Sequence, residues 1–233
     1  MKKLFGFTLA EVLVTLGIIG VVAALTTPTL VSNVKNKSYA AALKSTVGDL
    51  ENAFAMAIAD AKADNLFSTP FMTYGEVVFG ADEQDEFIEY LRKYIKIGNY
   101  ENVNGNTYYT NKGTNLHYMN NDGGTGNIDN SSLAKYIPIT LKSGAVMFIR
   151  TWINTDFCGG IWIDVNRVTG PNTTGRDAFM FVLLADGTLA PMGGKEAQRV
   201  NGNGLWQDFC LKKPVDSSLC TARLVDNGYV FDY

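Results

Sequence analysis

The sequence predicts an α+β protein in which a long N-terminal helix packs on a small antiparallel β-sheet. Residues 7–31 are predicted to form a largely apolar transmembrane helix with one charge, at Glu11. Residues 32–64 continue with apolar positions three or four apart, the spacing of an amphipathic helix. From Tyr136 onward, short apolar runs separated by turn signals favour β-strands. Residues 65–233 are therefore expected to form one globular head.

The N-terminal apolar run is long enough to cross a bilayer. Val12 to Val31 are twenty residues without a charge, which is enough helix to span the hydrocarbon core. Glu11 stands immediately before them, and a carboxylate left unpaired at mid-depth costs about 2.5–3.5 kcal/mol. A cleaved secretory signal peptide explains a basic start and the small residues Ala23 and Ala24, but it leaves Glu11 unexplained.

The helix is expected to continue beyond the apolar run with one apolar stripe. Pro28 lies inside it and has no N–H to donate, so the helix should kink or open locally there. The stripe that should face the head comprises Tyr39, Leu43, Val47, Leu50, Phe54 and Ile58.

The head shows one short helix, one polar segment and several strands. Acidic residues at the start and basic residues at the end predict a helix at about 82–96. Residues 98–132 are rich in Asn, Gly and Thr, which favours an irregular surface loop. The predicted strands are 137–141, 145–152, 161–165, 179–184 and 188–191.

Composition and motifs exclude several classes of function. The net charge is −3 and no stretch concentrates basic residues, which disfavours nucleic-acid binding through the phosphate backbone. His117 is the single histidine, so a two-histidine zinc site is excluded, and a catalytic triad would require His117 itself. Neither a Gly-x-Ser-x-Gly elbow nor a phosphate-binding Gly-Lys-Ser/Thr loop occurs. We therefore predict no catalytic residues and no enzyme activity.

The segment Gly6-Phe7-Thr8-Leu9-x-Glu11, followed by the apolar run, resembles the N-terminus of type IV pilins and type II secretion pseudopilins. The resemblance implies that residues 1–6 are a leader, which an inner-membrane prepilin peptidase cuts between Gly6 and Phe7. The same enzyme would then methylate the new α-amine of Phe7. The resemblance also implies a pilin-like head, in which the amphipathic helix packs on an antiparallel sheet.

The resemblance gives Glu11 a role in assembly. Its carboxylate would pair with the Phe7 amine of a neighbouring subunit, an attraction that is strong in a medium of low dielectric constant. Gly20 and Pro28 fall where the family carries residues that loosen the helix. The alternative for Glu11 is that its side chain simply reaches the lipid headgroups from the end of the helix.

The implied function is a structural subunit, pilin or pseudopilin, major or minor, of a type IV pilus-like or type II secretion filament. Its implied partners are the prepilin peptidase, other pilin subunits, and an inner-membrane platform protein with an assembly ATPase. The chain would be single-pass in a bacterial inner membrane, with its head outside the cytoplasm, and extracellular or periplasmic once assembled. The alternative is a membrane-tethered monomeric sensor or glycan-binding domain that uses Trp152, Trp162 and Trp206.

A loop between two predicted strands contains candidate ligands for Ca²⁺. Asp164, Asn166, Asn172 and Asp177 supply the oxygen donors that this cation prefers. Several pseudopilins hold calcium in a loop beside their sheet, so the resemblance favours the same cofactor here. The spacing departs from the EF-hand order. The alternative is a structural loop in which these side chains cap backbone groups and Arg176 pairs with an acid.

The cysteines offer one short covalent loop. Cys210 and Cys220 enclose residues 211–219, and a bridge between them would stabilise the fold by about 2–4 kcal/mol. Many pilins close a C-terminal loop in this way, which favours this pair. Cys158 could replace either partner, since three cysteines allow three single pairings. Three reduced, buried thiols are the remaining alternative.

Overall fold

The structure is a computed structural model that describes residues 8–73, 84–119, 125–127, 133–152, 156–211 and 217–233. The chain divides into two compact units, one ending at Ser38 and the other comprising Tyr39–Tyr233. The helices are α1 (Leu9–Ala61), α2 (Pro70–Thr73), α3 (Gln84–Leu91), α4 (Gly105–Asn111), α5 (Lys195–Asn201), α6 (Trp206–Phe209) and α7 (Cys220–Asp226). The strands are β1 (Ile97–Tyr100), β2 (His117–Met119), β3 (Thr125–Asn127), β4 (Ile137–Leu141), β5 (Val146–Thr151), β6 (Phe157–Asp164), β7 (Ala178–Leu184) and β8 (Leu189–Pro191).

Six strands form one antiparallel sheet in the order β1-β4-β5-β6-β7-β8, and β2 pairs with β3 separately. The hairpin from β4 to β5 turns at Gly144, whose φ of 100° lies in the region that glycine adopts without strain. The long helix and the antiparallel sheet confirm the predicted α+β fold class with a pilin-like layout.

In the first unit, α1 presents its apolar side chains outward. Leu13 and Ile19 have 61% and 63% of their surface exposed, although both are large hydrophobic residues. Within the described residues, α1 is the one helix that is both long and apolar enough for a membrane span. The helical conformation runs through Pro28, and the hydroxyl groups of Thr26 and Thr27 in the preceding turn donate to carbonyls at positions 22 and 23.

In the second unit, one face of α1 is buried in the main core. Leu43, Leu50 and Phe54 each expose 2% of their surface or less, as the predicted stripe requires. Tyr39 and Ile58, at the two ends of that stripe, are only half buried. The same core contains side chains of β4, β6 and β7, so the helix and the sheet bury a common apolar surface.

The predicted irregular loop at 98–132 is wrong in part, since it contains most of β1 together with α4, β2 and β3. Asn104 caps α4 by accepting a hydrogen bond of 2.8 Å from the N–H of Thr107. Tyr108 and Tyr109 on this helix are buried against Phe148 of β5. The buried tyrosines therefore stabilise a helix whose glycine, asparagine and threonine content favours a loop.

The helix predicted at 82–96 is shorter than expected. Residues 82 and 83 lie outside the described part, and α3 ends at Leu91. Ile95 and Ile97 are buried beyond its end, and Ile97 already belongs to β1. The chain thus leaves the helix five residues before the end that the charge pattern predicted, and β1 begins directly after the predicted segment.

Candidate assembly helix and candidate metal loop

The first turn of α1 is capped by Thr8 and Glu11. The backbone N–H and the hydroxyl of Thr8 each donate to Oε2 of Glu11 over 2.8 Å, and the N–H of Glu11 donates to the Thr8 hydroxyl over 3.2 Å. This reciprocal arrangement is a capping box, which satisfies N–H groups that have no acceptor within the helix. The Thr-x-x-Glu spacing of this box is visible in the sequence, but no capping role was predicted for Thr8.

The structure describes some of the other residues predicted for the assembly segment, and the rest lie outside its described part. Gly6 and Phe7, the predicted cleavage and methylation sites, lie outside the described residues. Gly20 lies within α1, and a Cβ added there would meet no atom within 4 Å. Packing among the described residues therefore does not require glycine at that position, and the predicted loosening roles of Gly20 and Pro28 stay predictions.

The structure brings the four predicted metal ligands together at the end of β6. Asp164 is fully buried, and its Oδ2 accepts a hydrogen bond of 2.7 Å from the Tyr109 hydroxyl. Its Oδ1 accepts from the N–H of Asn166 over 3.1 Å. The Asn166 side-chain amide contacts the carboxylate of Asp177, which joins the two ends of the loop.

Asp177 is also fully buried and organises the second half of the loop. Its Oδ2 accepts from the N–H of Asn172 over 2.8 Å, and its Oδ1 accepts from the N–H of Thr173. The Asn172 amide group donates to the Thr114 hydroxyl over 2.8 Å. The capping expected of a structural loop is therefore present, whereas Arg176 is exposed and forms no ion pair with any described residue.

Burial raises the pKa of Asp164 well above its usual range, and the nearby carboxylate of Asp177 adds to this effect. Burial likewise raises the pKa of Asp177, although the N–H groups of Thr173 and Asn172 oppose the shift. The side-chain oxygens of Asn166 and Asn172 are buried without a hydrogen-bond partner among the described residues. The loop thus combines two buried carboxylates with two buried amide oxygens whose bonding capacity is unused.

The donor set restricts which metal this loop suits. In the part of the chain that the structure describes, no group of three or more His, Cys, Asp or Glu side chains is placed to hold a metal ion. A cation here would depend on carboxylate and amide oxygens, which suit Ca²⁺ rather than Zn²⁺ or copper.

Comparison with known proteins identifies the N-terminal segment. Residues 1–27 match the family model described as the prokaryotic N-terminal methylation motif. This motif is the signature of type IV pilins and pseudopilins. Neither a curated protein nor a solved structure matches the chain. The methylation motif supports a structural subunit of the pilin or pseudopilin type.

The methylation motif also indicates how the chain is handled. It implies processing by a prepilin peptidase and assembly with other pilin subunits. Together with the apolar part of α1, it fits a membrane-anchored, single-pass protein. It points to a structural rather than a catalytic protein.

A disulfide joins Cys210 and Cys220, as predicted. It links the residue that follows α6 to the first residue of α7. The Cα atoms of Cys210 and Cys220 lie 4.9 Å apart. Cys158 is a free, buried cysteine on β6, and burial raises the pKa of its thiol to about 12. The pairings of Cys158 with Cys210 or Cys220, and the alternative of three reduced thiols, are therefore not found.

The residues considered for other functions occupy mainly structural positions. Trp162 is buried in β6, and Trp152 packs edge-on against Phe157 with ring centroids 5.2 Å apart. Trp206 donates a hydrogen bond of 2.8 Å to Asp226. His117 is half buried on β2, not in an open loop, and its N–H donates to the carbonyl of residue 172. These contacts do not assemble the tryptophans into one sugar-binding platform.

Proposed function

We propose that the chain is a subunit of a type IV pilus-like or type II secretion filament. It is cut between Gly6 and Phe7, methylated at the Phe7 amine, and assembled through its N-terminal helix. The observation that carries the proposal is the methylation motif over residues 1–27, with Glu11 in the first turn of an exposed apolar helix.

The capping geometry is compatible with a pairing role for Glu11. Both hydrogen bonds from Thr8 go to Oε2, and Oε1 has no recorded partner among the described residues. One carboxylate can therefore cap its own helix through one oxygen and accept from the Phe7 amine of a neighbour through the other. A charge-assisted bond of this kind is strong where water is excluded, and it would fix the axial register between subunits.

The proposed class of protein also implies a membrane location and further assembly partners. The apolar part of α1 would hold the subunit in the inner membrane with its head outside the cytoplasm. A platform protein and an assembly ATPase would then move it into a periplasmic or extracellular filament. The proposal covers pilus and secretion filaments alike, because both use these parts.

Mass spectrometry of the mature chain from the native host tests processing, and the expected N-terminus is N-methyl-Phe7. Glu11→Gln keeps the side-chain size but removes the charge, so membrane insertion should persist while incorporation into filaments falls. Glu196→Gln makes the same change on the exposed surface of α5 and is the matched control, which should be incorporated into filaments normally.

Three outcomes would contradict the proposal in whole or in part. A mature N-terminus at Leu25 would identify an ordinary secreted domain. Normal filament incorporation of Glu11→Gln would remove the pairing role, and a correctly processed chain that never leaves the monomeric state would favour the tethered sensor.

We also propose that the loop formed by Asp164, Asn166, Asn172 and Asp177 binds Ca²⁺. The specific support is the pair of buried amide oxygens without hydrogen-bond partners beside two buried carboxylates. Bound calcium would supply positive charge between the carboxylates, and the four side chains would hold the ends of the loop together.

The full-length chain in non-ionic detergent allows a direct calcium titration, because ligand binding to the folded state raises its melting temperature. Ca²⁺ should raise it, and Asp177→Asn should abolish the increase while the exposed Asp208→Asn leaves it intact. An unchanged melting temperature and no heat of binding for the unsubstituted chain would reject calcium and leave the capped structural loop.

A further inference from the structure

A cleft of about 500 Å³ lies in the head, lined in part by Arg167 and Val168 of the candidate metal loop but by none of its four proposed ligands. It is bordered by β1, α4, the turn between β4 and β5, and the residues that follow β6. The register between β1 and β4 shifts between Ile97 and Asn99, and such bulges are common beside binding sites. The volume falls within the range of small-molecule sites.

The cleft is more basic than the chain as a whole. Three cationic side chains line it, those of Lys112, Lys142 and Arg167, against one carboxylate, that of Glu101. Glu101 Oε1 lies 2.7 Å from Lys112 Nζ, so this pair is internally neutral. Lys142 and Arg167 form no ion pair with any residue in the described part of the chain. Their two positive charges lie in a protein whose net charge is −3.

Arg167 is held in place before any ligand arrives. Its Nε donates a hydrogen bond of 2.8 Å to the carbonyl of Gly144, on the same turn that carries Lys142. Its φ of 62° is a left-handed conformation that non-glycine residues rarely adopt. The N–H of Arg167 bonds to the buried Asp164 carboxylate, which holds the backbone there. Such prior ordering reduces the entropy lost on binding.

The cleft also contains polar groups suited to hydroxyl-bearing ligands. Asn99 is exposed on β1, and Thr140 of β4 faces the same cleft. The Thr140 side chain also forms a hydrogen bond with Tyr108. The cleft therefore combines positive charge with amide and hydroxyl groups.

We propose that this cleft binds a phosphate monoester of a small polyol, such as a sugar phosphate. Arg167 contributes planar N–H donors to two phosphate oxygens, and Lys142 adds a second positive charge. Asn99 and Thr140 lie where hydroxyl groups of the attached sugar would bind. This binding role goes beyond the filament function and does not depend on it.

Isothermal titration of the full-length chain in non-ionic detergent at low salt tests the proposal, with glucose 6-phosphate, inorganic phosphate and glucose as probes. Both phosphates should bind, glucose 6-phosphate more tightly, and glucose should give no saturable heat. Arg167→Gln and Lys142→Gln should each weaken glucose 6-phosphate binding about tenfold. Arg167→Lys, which keeps the charge but not the planar fork, should weaken it less. Added salt should weaken binding further.

Lys195→Gln is the matched control, because Lys195 lines a different cavity of about 330 Å³. Equal weakening by this control would show general attraction to positive charge and overturn the site. Absence of saturable binding for both phosphates would also overturn it, as would glucose binding as tightly as its phosphate. Lys142→Gln changes an exposed turn residue and keeps the test valid if Arg167→Gln fails to fold.

Discussion

The hydroxyl of Thr8 lies 2.8 Å from Oε2 of Glu11, so the carboxylate at the head of the apolar helix already has a partner within its own chain. This contact offsets part of the cost of a carboxylate beside a lipid-compatible segment. It also orients the side chain, because the backbone N–H of Thr8 binds the same oxygen. Glu11 is thereby preorganised for the pairing proposed with a neighbouring subunit.

Thr8→Val should loosen the first turn of α1. Valine has a similar size but no hydroxyl, and the loss of an N-cap costs about 1 kcal/mol. Hydrogen exchange of the full-length chain in detergent should therefore become faster at the N–H groups of Glu11 and Val12. Thr8→Ser should restore slow exchange. Thr15→Val is the control, since the Thr15 hydroxyl donates to the carbonyl of Val12 inside the helix and caps no N–H group. Equal acceleration at Glu11 and Val12 in this control would contradict a specific cap.

Tyr109→Phe should destabilise the head. It removes the only side-chain hydroxyl recorded, among the described residues, as donating to the buried Asp164 carboxylate. Leaving a buried polar group short of a partner costs about 1–3 kcal/mol, and more when the group is charged. Urea unfolding in detergent should show this loss, while the exposed Tyr118→Phe should change the free energy of unfolding little. Equal stability of the two variants would show that Tyr109 does not support Asp164.

The elements that the sequence predicted well have a local periodic signal. The stripe through Leu43, Leu50 and Phe54 is visible because each position repeats after one or two helical turns. Strands β4, β5, β7 and β8 are likewise short apolar runs bounded by turn residues. Strand β6 begins at Phe157, four residues before the predicted 161–165, because Gly159 and Gly160 interrupt its apolar pattern. Helix α4 has no such pattern, because its stability comes from tyrosines packed against Phe148, far away in sequence.

The candidate site was only partly predictable for a related reason. Oxygen-bearing side chains at 164, 166, 172 and 177 are visible in one loop of the sequence. The bond from Tyr109 to Asp164 joins residues 55 positions apart, and nothing local indicates it. The cleft at Arg167 is similarly bordered by β1, a strand that the polar composition of its surroundings concealed.

Gly187→Ala should be more destabilising than Gly202→Ala, although both glycines have positive φ, 86° and 76°. A Cβ at Gly187 would lie 3.0 Å from the Cβ of Phe54 on α1, whereas a Cβ at Gly202 would meet nothing within 4 Å. Both variants share the left-handed backbone cost, so their difference isolates the contact with α1. Overpacking of this kind costs about 1–3 kcal/mol.

Urea unfolding of both glycine variants in the same detergent measures that difference. Gly187→Ala should unfold at the lower urea concentration with an unchanged slope. Equal midpoints would show that the turn after β7 does not limit how closely α1 approaches the sheet in the second unit.

Cys210→Ser should lower the free energy of unfolding by about 2–3 kcal/mol, because the bridge closes a short loop of sequence separation 10. Cys158→Ala should leave the Cys210–Cys220 bridge intact. Burial raises the pKa of the Cys158 thiol to about 12, so at pH 8 it stays protonated and a poor nucleophile. Iodoacetamide should therefore label Cys158 only after unfolding, and peptide mapping without reductant should recover one bridge. Rapid labelling of the native chain, or a bridge containing Cys158, would contradict this pairing and imply that the thiol is accessible for exchange.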